Sequence, residues 1–111
     1  MKISYTSKWV IQRVTALFLI PLSFWFIYQC MIFQELEYFE LKLFFQSYFN
    51  SLLFIIMMIV MLVHAKLGCE TVITDYVSSL PLKILFKSIL NFISYFSLFL
   101  VVIAIIKLSI F

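Results

Sequence analysis

The chain has 111 residues, of which 66% are hydrophobic, 20% aromatic and 12% charged, with a formal net charge of +3. A soluble domain of this length could not bury so much apolar surface, so the composition indicates an integral membrane protein of one domain, residues 1–111. The small, dispersed charge indicates no nucleic-acid partner, and Cys30 and Cys69 are too far apart in sequence to predict a disulfide framework or a metal-binding pair.

The first predicted membrane span follows a basic N-terminus. The first 13 residues contain three basic residues and no acid, and residues 14–34 carry no charge. This stretch is long enough to cross about 30 Å as a helix. With Trp9 as an interfacial anchor, we expect a helix over about residues 9–33.

The second predicted span follows a short acidic loop. Residues 43–65 contain no acid, lysine or arginine. No helix breaker follows until Ser78, Ser79 and Pro81, so the helix is expected to run over about residues 43–76. A third helix is expected over about residues 82–108, around another charge-free stretch.

The basic residues predict an orientation for this all-α, three-helix transmembrane anchor. Six lie at the N-terminus or between the second and third spans, and two lie on the opposite side. The six are Lys2, Lys8, Arg13, Lys66, Lys83 and Lys87, and the two are Lys42 and Lys107. Because basic residues accumulate on the cytoplasmic or matrix side, we expect the N-terminus there and the C-terminus opposite.

The polar end of the second span contains the only histidine, glycine and aspartate of the chain. On an ideal helix, His64 shares one face with Gly68, Thr71 and Asp75. A histidine with a glycine one turn further on leaves room for a flat group close to the backbone. This suits a haem whose iron takes one imidazole nitrogen.

Three other residues near this end of the helix, Tyr76, Lys66 and Glu70, give weaker indications of function. Tyr76 lies about 120° around the helix from His64 and roughly 18 Å further along it, nearer the membrane surface. Lys66 and Glu70 are spaced i, i+4, which predicts a weak surface ion pair.

Each candidate residue also has a simpler explanation. His64 could be hydrogen bonded to another helix and nothing more. Arg13 could be an ordinary snorkelling residue on the positive side of the membrane. Asp75 and Tyr76 could be interface residues, with Tyr76 in the aromatic belt.

Three short segments taken together point to one family. They are Gln-Arg-Val-Thr-Ala at residues 12–16, His-Ala-x-x-Gly at 64–68 and Asp-Tyr-Val at 75–77. With them, the chain resembles the small hydrophobic membrane-anchor subunit of succinate dehydrogenase (succinate:quinone oxidoreductase, respiratory complex II) over roughly residues 9–106. The presence of Lys66 and Glu70 departs from the more apolar segment of that family.

The resemblance implies a role for four residues. His64 would be one axial ligand of a b-type haem iron, and the larger cytochrome b subunit would supply the other histidine. Arg13 would lie near a haem propionate. Tyr76 would donate a hydrogen bond to a ubiquinone carbonyl, with Asp75 beside it in the pocket.

The resemblance also implies a function. The chain would be a non-catalytic subunit that docks the flavoprotein and iron–sulfur subunits to a bacterial inner membrane or a mitochondrial inner membrane, without activity alone. Two alternatives remain open. One is the anchor of a fumarate reductase that uses menaquinone, and the other is a cofactor-free structural or assembly protein with three membrane helices.

Overall fold

A computed structural model describes residues 4–110 and, within them, contains helices and no strand. The helices are α1 (Tyr5–Phe33), α2 (Tyr38–Gln46), α3 (Tyr48–Tyr76) and α4 (Leu80–Ile110). By length and composition, α1, α3 and α4 can each cross a membrane. The predicted all-α class with three spans is therefore confirmed, whereas the orientation of the termini stays a prediction.

The first helix begins earlier than the charge pattern predicts because its N-terminus is capped. The hydroxyl oxygen of Ser4 accepts a hydrogen bond from the backbone N–H of Ser7 at 3.2 Å. Such a cap satisfies one of the unpaired amides in the first helical turn. The helix then continues without interruption through Pro21.

A short second helix, α2, stands where the sequence predicts an acidic loop and the start of the next span. The backbone is extended at Ser47, so the second span begins at Tyr48 rather than near residue 43. The side-chain amide of Asn50 donates to the carbonyl of Phe44 at 3.2 Å. The same carbonyl also accepts from the backbone N–H of Ser47 at 3.4 Å, so the Asn50 amide adds a second hydrogen bond at the end of α2 and stabilises the break.

Two hydroxyls join α2 to both neighbouring spans. Ser51 of α3 and Ser109 of α4 both donate to the carbonyl of Phe45, and their oxygens lie 3.1 Å apart. The Phe45 ring is buried, with centroids 5.2 Å from Phe54 and 6.1 Å from Phe33. The apolar face of α2 therefore folds back onto the bundle.

The central helix is α3, which packs against both α1 and α4. Contacts such as Thr15 to His64 and Trp25 to Phe54 show that α1 and α3 run antiparallel. The N-terminus of α1 and the α3–α4 connection consequently lie at one end of the bundle. The C-terminus of α4 lies at the other end with α2.

The core of this bundle is small. Within residues 4–110 six side chains are buried: Thr15, Phe45, Ser51, Met57, Leu67 and Ile105. Most other apolar side chains of the spans are exposed, as expected for helices whose outer faces contact lipid or other proteins rather than water.

Candidate functional site

The imidazole of His64 is held against α1 through one of its two nitrogens. Nδ1 lies 3.0 Å from the hydroxyl oxygen of Thr15, a buried residue of α1. That hydroxyl also lies 2.7 Å from the carbonyl oxygen of Ile11 in its own helix. Within the part of the chain that the structure describes, Nε2 has no hydrogen-bond partner. This nitrogen is therefore the one that an external group can use.

A second α1 side chain, Gln12, reaches the same stretch of α3. Its amide is oriented by its neighbours, because its oxygen fits beside the Gly68 N–H and its nitrogen beside the His64 carbonyl. The amide oxygen then accepts from the Gly68 N–H at 3.0 Å, and the nitrogen donates to the His64 carbonyl at 3.1 Å. The same nitrogen is 3.0 Å from His64 Nδ1. Gln12 and Thr15, one turn apart, thus fix α1 against α3 at the histidine.

Two cavities of about 300 and 350 Å³ lie between α1 and α3, and His64 and Ala16 border both. We call them together the α1–α3 groove. One end is polar and is lined by Lys8 and Arg13, whereas the other is apolar and ends at Phe24. The groove therefore offers cations at one end, an imidazole in the middle and an apolar surface beyond.

The structure brings Arg13 into this groove with His64. The Arg13 side chain is exposed, and its guanidinium carbon lies 5.4 Å from the centre of the Trp9 ring, in cation–π contact. This contact keeps the guanidinium near the polar end of the groove. Its five N–H donors suit a carboxylate.

A second groove lies between α3 and α4, and it has a different character. This α3–α4 groove, of about 600 Å³, is bordered by His64 and Gly68 on α3 and by Phe86, Leu90 and Ile93 on α4. Among the described residues that line it, none is a lysine, arginine, aspartate or glutamate. It is therefore less suited than the α1–α3 groove to the acidic groups of a ligand.

Gly68 does not provide essential space toward α1. A Cβ added there would lie 3.5 Å from the nearest atom, the side-chain amide of Gln12, which is ordinary van der Waals contact. Because glycine has no side chain, it leaves space instead at the edge of the α3–α4 groove, which it lines.

Asp75 and Tyr76 lie apart from the histidine, in the last turn of α3. Both are exposed, and the Tyr76 side chain is 84% exposed. Neither borders the two grooves. The four candidate residues therefore fall into two places: His64 with Arg13, and Asp75 with Tyr76 about 18 Å further along α3.

The prediction of an ion pair between Lys66 and Glu70 is wrong. Glu70 instead lies 3.7 Å from the Lys8 ammonium on α1, and the Lys66 ammonium lies 5.0 Å from the centre of the Tyr95 ring on α4. The two α3 side chains point to different neighbouring helices, which explains the difference. Lys8 and Glu70 bridge α1 and α3 beside the polar end of the α1–α3 groove.

The described residues hold no group of three or more histidine, cysteine, aspartate or glutamate side chains that could bind a metal ion. Both cysteines are free and exposed. One histidine can supply one ligand, so a metal bound here needs further ligands from a cofactor or from another chain.

Residues 4–106 match the family model described as the succinate dehydrogenase/fumarate reductase transmembrane subunit. The chain belongs to this family. No curated protein and no solved structure matches it. Membership confirms the predicted resemblance at the level of the family and makes the chain a membrane subunit of such a complex. Its identity as the small anchor of a succinate dehydrogenase, its quinone and its haem stay predictions.

No role was predicted from the sequence for Gln12 or Thr15. Both belong to the segment that carries the resemblance, but only Arg13 received a function. A signal was present, because two polar residues spaced i, i+3 on a membrane helix share one face and need hydrogen-bond partners. The partner could not be identified without the packing of α1 on α3.

Proposed function

We propose that this chain is the small membrane anchor of a succinate:ubiquinone oxidoreductase. It holds the iron–sulfur and flavoprotein subunits at the membrane, supplies one axial histidine to a b-type haem, and contributes to the ubiquinone-reduction site. The observation that carries the proposal is the state of His64. Its Nδ1 is held by α1, its Nε2 is free, and a cation lies in the same groove.

The residues around His64 fit a haem. Haem is amphiphilic, with an apolar macrocycle and two propionates, and the α1–α3 groove has the same division. His64 would bind the iron through Nε2, Arg13 would pair with a propionate, and Ala16 leaves space beside them. When bound, the haem supplies one-electron transfer.

Haem binding at His64 would require a second protein chain. A six-coordinate haem iron with two histidine ligands needs another imidazole, and this chain contains one histidine. Arg13 is exposed and His64 only half-buried, although polar groups within a membrane span rarely face lipid. Both observations support a larger cytochrome b subunit that covers the α1–α3 groove and provides the other ligand.

The proposed quinone contribution concerns the other end of α3. The exposed Tyr76 hydroxyl is free to donate to a quinone carbonyl, and the Asp75 carboxylate lies one residue away. Because both side chains are exposed, the remaining walls of the pocket would come from the cytochrome b and iron–sulfur subunits. The basic residues at this end support its placement on the cytoplasmic or matrix side of a bacterial or mitochondrial inner membrane.

The test is a reduced-minus-oxidised spectrum of the purified complex, for the wild type and for His64→Ala. We expect a low-spin b-type spectrum in the wild type. In the variant the haem should be absent, loosened or five-coordinate, because one axial bond is lost. Subunit content is measured in parallel, since a shared cofactor also joins the two membrane chains. An unchanged low-spin spectrum in fully assembled His64→Ala would refute the ligand assignment.

The same measurements distinguish the alternatives. A wild-type complex without haem supports the cofactor-free structural protein. The family includes fumarate reductase, so a menaquinone-using anchor is the other alternative. Two measurements distinguish a fumarate reductase from a succinate dehydrogenase. One is the identity of the quinone that co-purifies with the complex, and the other is its rate of succinate oxidation compared with its rate of fumarate reduction.

A further inference from the structure

We propose that Thr15 is a positioning residue for His64. Its hydroxyl accepts a hydrogen bond from the Nδ1–H of the imidazole and so selects the tautomer in which Nε2 has a free lone pair. This inference rests on the proposed function, in which Nε2 binds the haem iron.

The single hydroxyl hydrogen of Thr15 is donated to a carbonyl of its own helix. The hydroxyl oxygen lies 2.7 Å from the carbonyl of Ile11 and 3.1 Å from that of Gln12. Carbonyl oxygens only accept, so the hydroxyl donates to one of them, and the shorter distance favours Ile11. The remaining lone pairs of the hydroxyl can accept from His64 Nδ1 at 3.0 Å. Nδ1 is then the donor.

Gln12 makes a competing contact with the same imidazole nitrogen. Its amide nitrogen lies 3.0 Å from Nδ1, and donation to Nδ1 would require the opposite tautomer, with the hydrogen on Nε2. A protonated Nε2 has no lone pair for a metal. The amide nitrogen has a second acceptor, the His64 backbone carbonyl at 3.1 Å. Gln12 can therefore keep a partner when Thr15 accepts from Nδ1–H.

The Thr15 side chain is buried and its hydroxyl is held in place. Thr15 is 8% exposed, and Ser51 is the other buried polar side chain among residues 4–110. The hydroxyl is back-bonded to its own helix, and a β-branched side chain has few rotamers in a helix, so the acceptor is fixed in place. A metal-bound histidine normally donates its other ring N–H to an oxygen, which orients the ring and raises its basicity.

The consequence for the iron can be measured. A more basic imidazole stabilises the ferric state over the ferrous state, so removal of the acceptor should raise the midpoint potential of the haem. Loss of such an outer partner typically weakens metal binding or activity about 10- to 100-fold. Each tenfold change in the ferric-over-ferrous preference corresponds to about 59 mV for one electron.

The experiment is a redox titration of the haem in the assembled complex for Thr15→Val and Thr15→Ser. Valine keeps the shape and removes the acceptor, whereas serine keeps the hydroxyl. We expect an upward shift of the potential and weaker haem retention for valine, and values near wild type for serine. The matched control is Ser51→Ala, which removes the other buried hydroxyl at the far end of the bundle. It should leave the potential unchanged.

Gln12→Leu combined with Thr15→Val removes a substitute acceptor, since a rotated Gln12 amide could offer its oxygen to Nδ1–H. The midpoint potential of the haem should rise at least as much in the double variant as in Thr15→Val. Wild-type potentials in both valine variants overturn the inference, as does an equal shift in Ser51→Ala. A failure of the proposed function would give a different result. The wild-type complex would contain no haem, or the low-spin spectrum would persist in His64→Ala, and the inference about Thr15 would then fail together with the proposed function.

Discussion

The substitution Tyr76→Phe tests the proposed quinone contact separately from the proposed haem site. Tyr76 ends α3, twelve residues beyond His64, which corresponds to about 18 Å along the helix axis. Its side chain is 84% exposed, and it borders neither groove next to the histidine. Phenylalanine keeps the ring and removes only the hydroxyl. The change should therefore leave the fold and the haem spectrum intact.

The expected magnitude follows from the hydrogen bond that is lost. A tyrosine hydroxyl that donates to a quinone carbonyl stabilises the negative charge that develops on the oxygen during reduction. A hydrogen bond to such a charged group is worth about 1.5–3 kcal/mol. The rate of quinone reduction should therefore fall on the order of 10- to 150-fold.

The assay is succinate:quinone reductase activity of the purified complex, with oxidation of succinate by an artificial upstream acceptor as the internal control. The chain offers a matched variant, Tyr48→Phe. Tyr48 is the first residue of α3 as Tyr76 is the last, and it is 90% exposed. It lies about 42 Å away, at the opposite end of the helix. Wild-type quinone reduction in Tyr76→Phe, or an equal loss in Tyr48→Phe, would refute the assignment of the hydroxyl to the quinone.

Two further predictions concern topology and the choice of groove. An impermeant thiol reagent should label Cys69 from the cytoplasmic or matrix side in a single-cysteine variant and Cys30 from the other side, and the reverse pattern would overturn the orientation. Ala16→Leu, which intrudes on both cavities of the α1–α3 groove, should lower the haem-to-protein ratio of the complex. Gly68→Ala should leave that ratio unchanged, because the new Cβ meets its nearest atom at 3.5 Å. Haem loss in Gly68→Ala alone would instead favour the α3–α4 groove.

The three spans were predictable because each depends on a property of consecutive residues. A charge-free stretch of sufficient length predicts a membrane helix whatever its neighbours are. The three predicted helices accordingly lie within or close to α1, α3 and α4. The family could also be predicted, because each of the three segments that carry the resemblance is a short run of consecutive residues.

The break at Ser47 was not predictable in the same way. Residues 43–46 are as apolar as the span that follows, so local composition continues the helix through them. The break also depends on a side chain that is distant in sequence, Ser109, which acts beside the nearby Ser51. Ser51 and Ser109, from two different helices, donate to the carbonyl of Phe45 at the end of α2. Only the tertiary fold brings these donors to one carbonyl.

The difference between local sequence properties and tertiary contacts also explains what the sequence could predict about the candidate site. His64 and Arg13 are recognisable one at a time, because a charged or titratable group in an apolar span is unusual by itself. Their presence in one groove depends on the antiparallel packing of α1 on α3, which the contacts of Gln12 and Thr15 fix. Without those contacts, the histidine would be free to rotate toward either groove. In the proposed complex, these hydrogen bonds would orient His64 before the partner chain and the haem arrive.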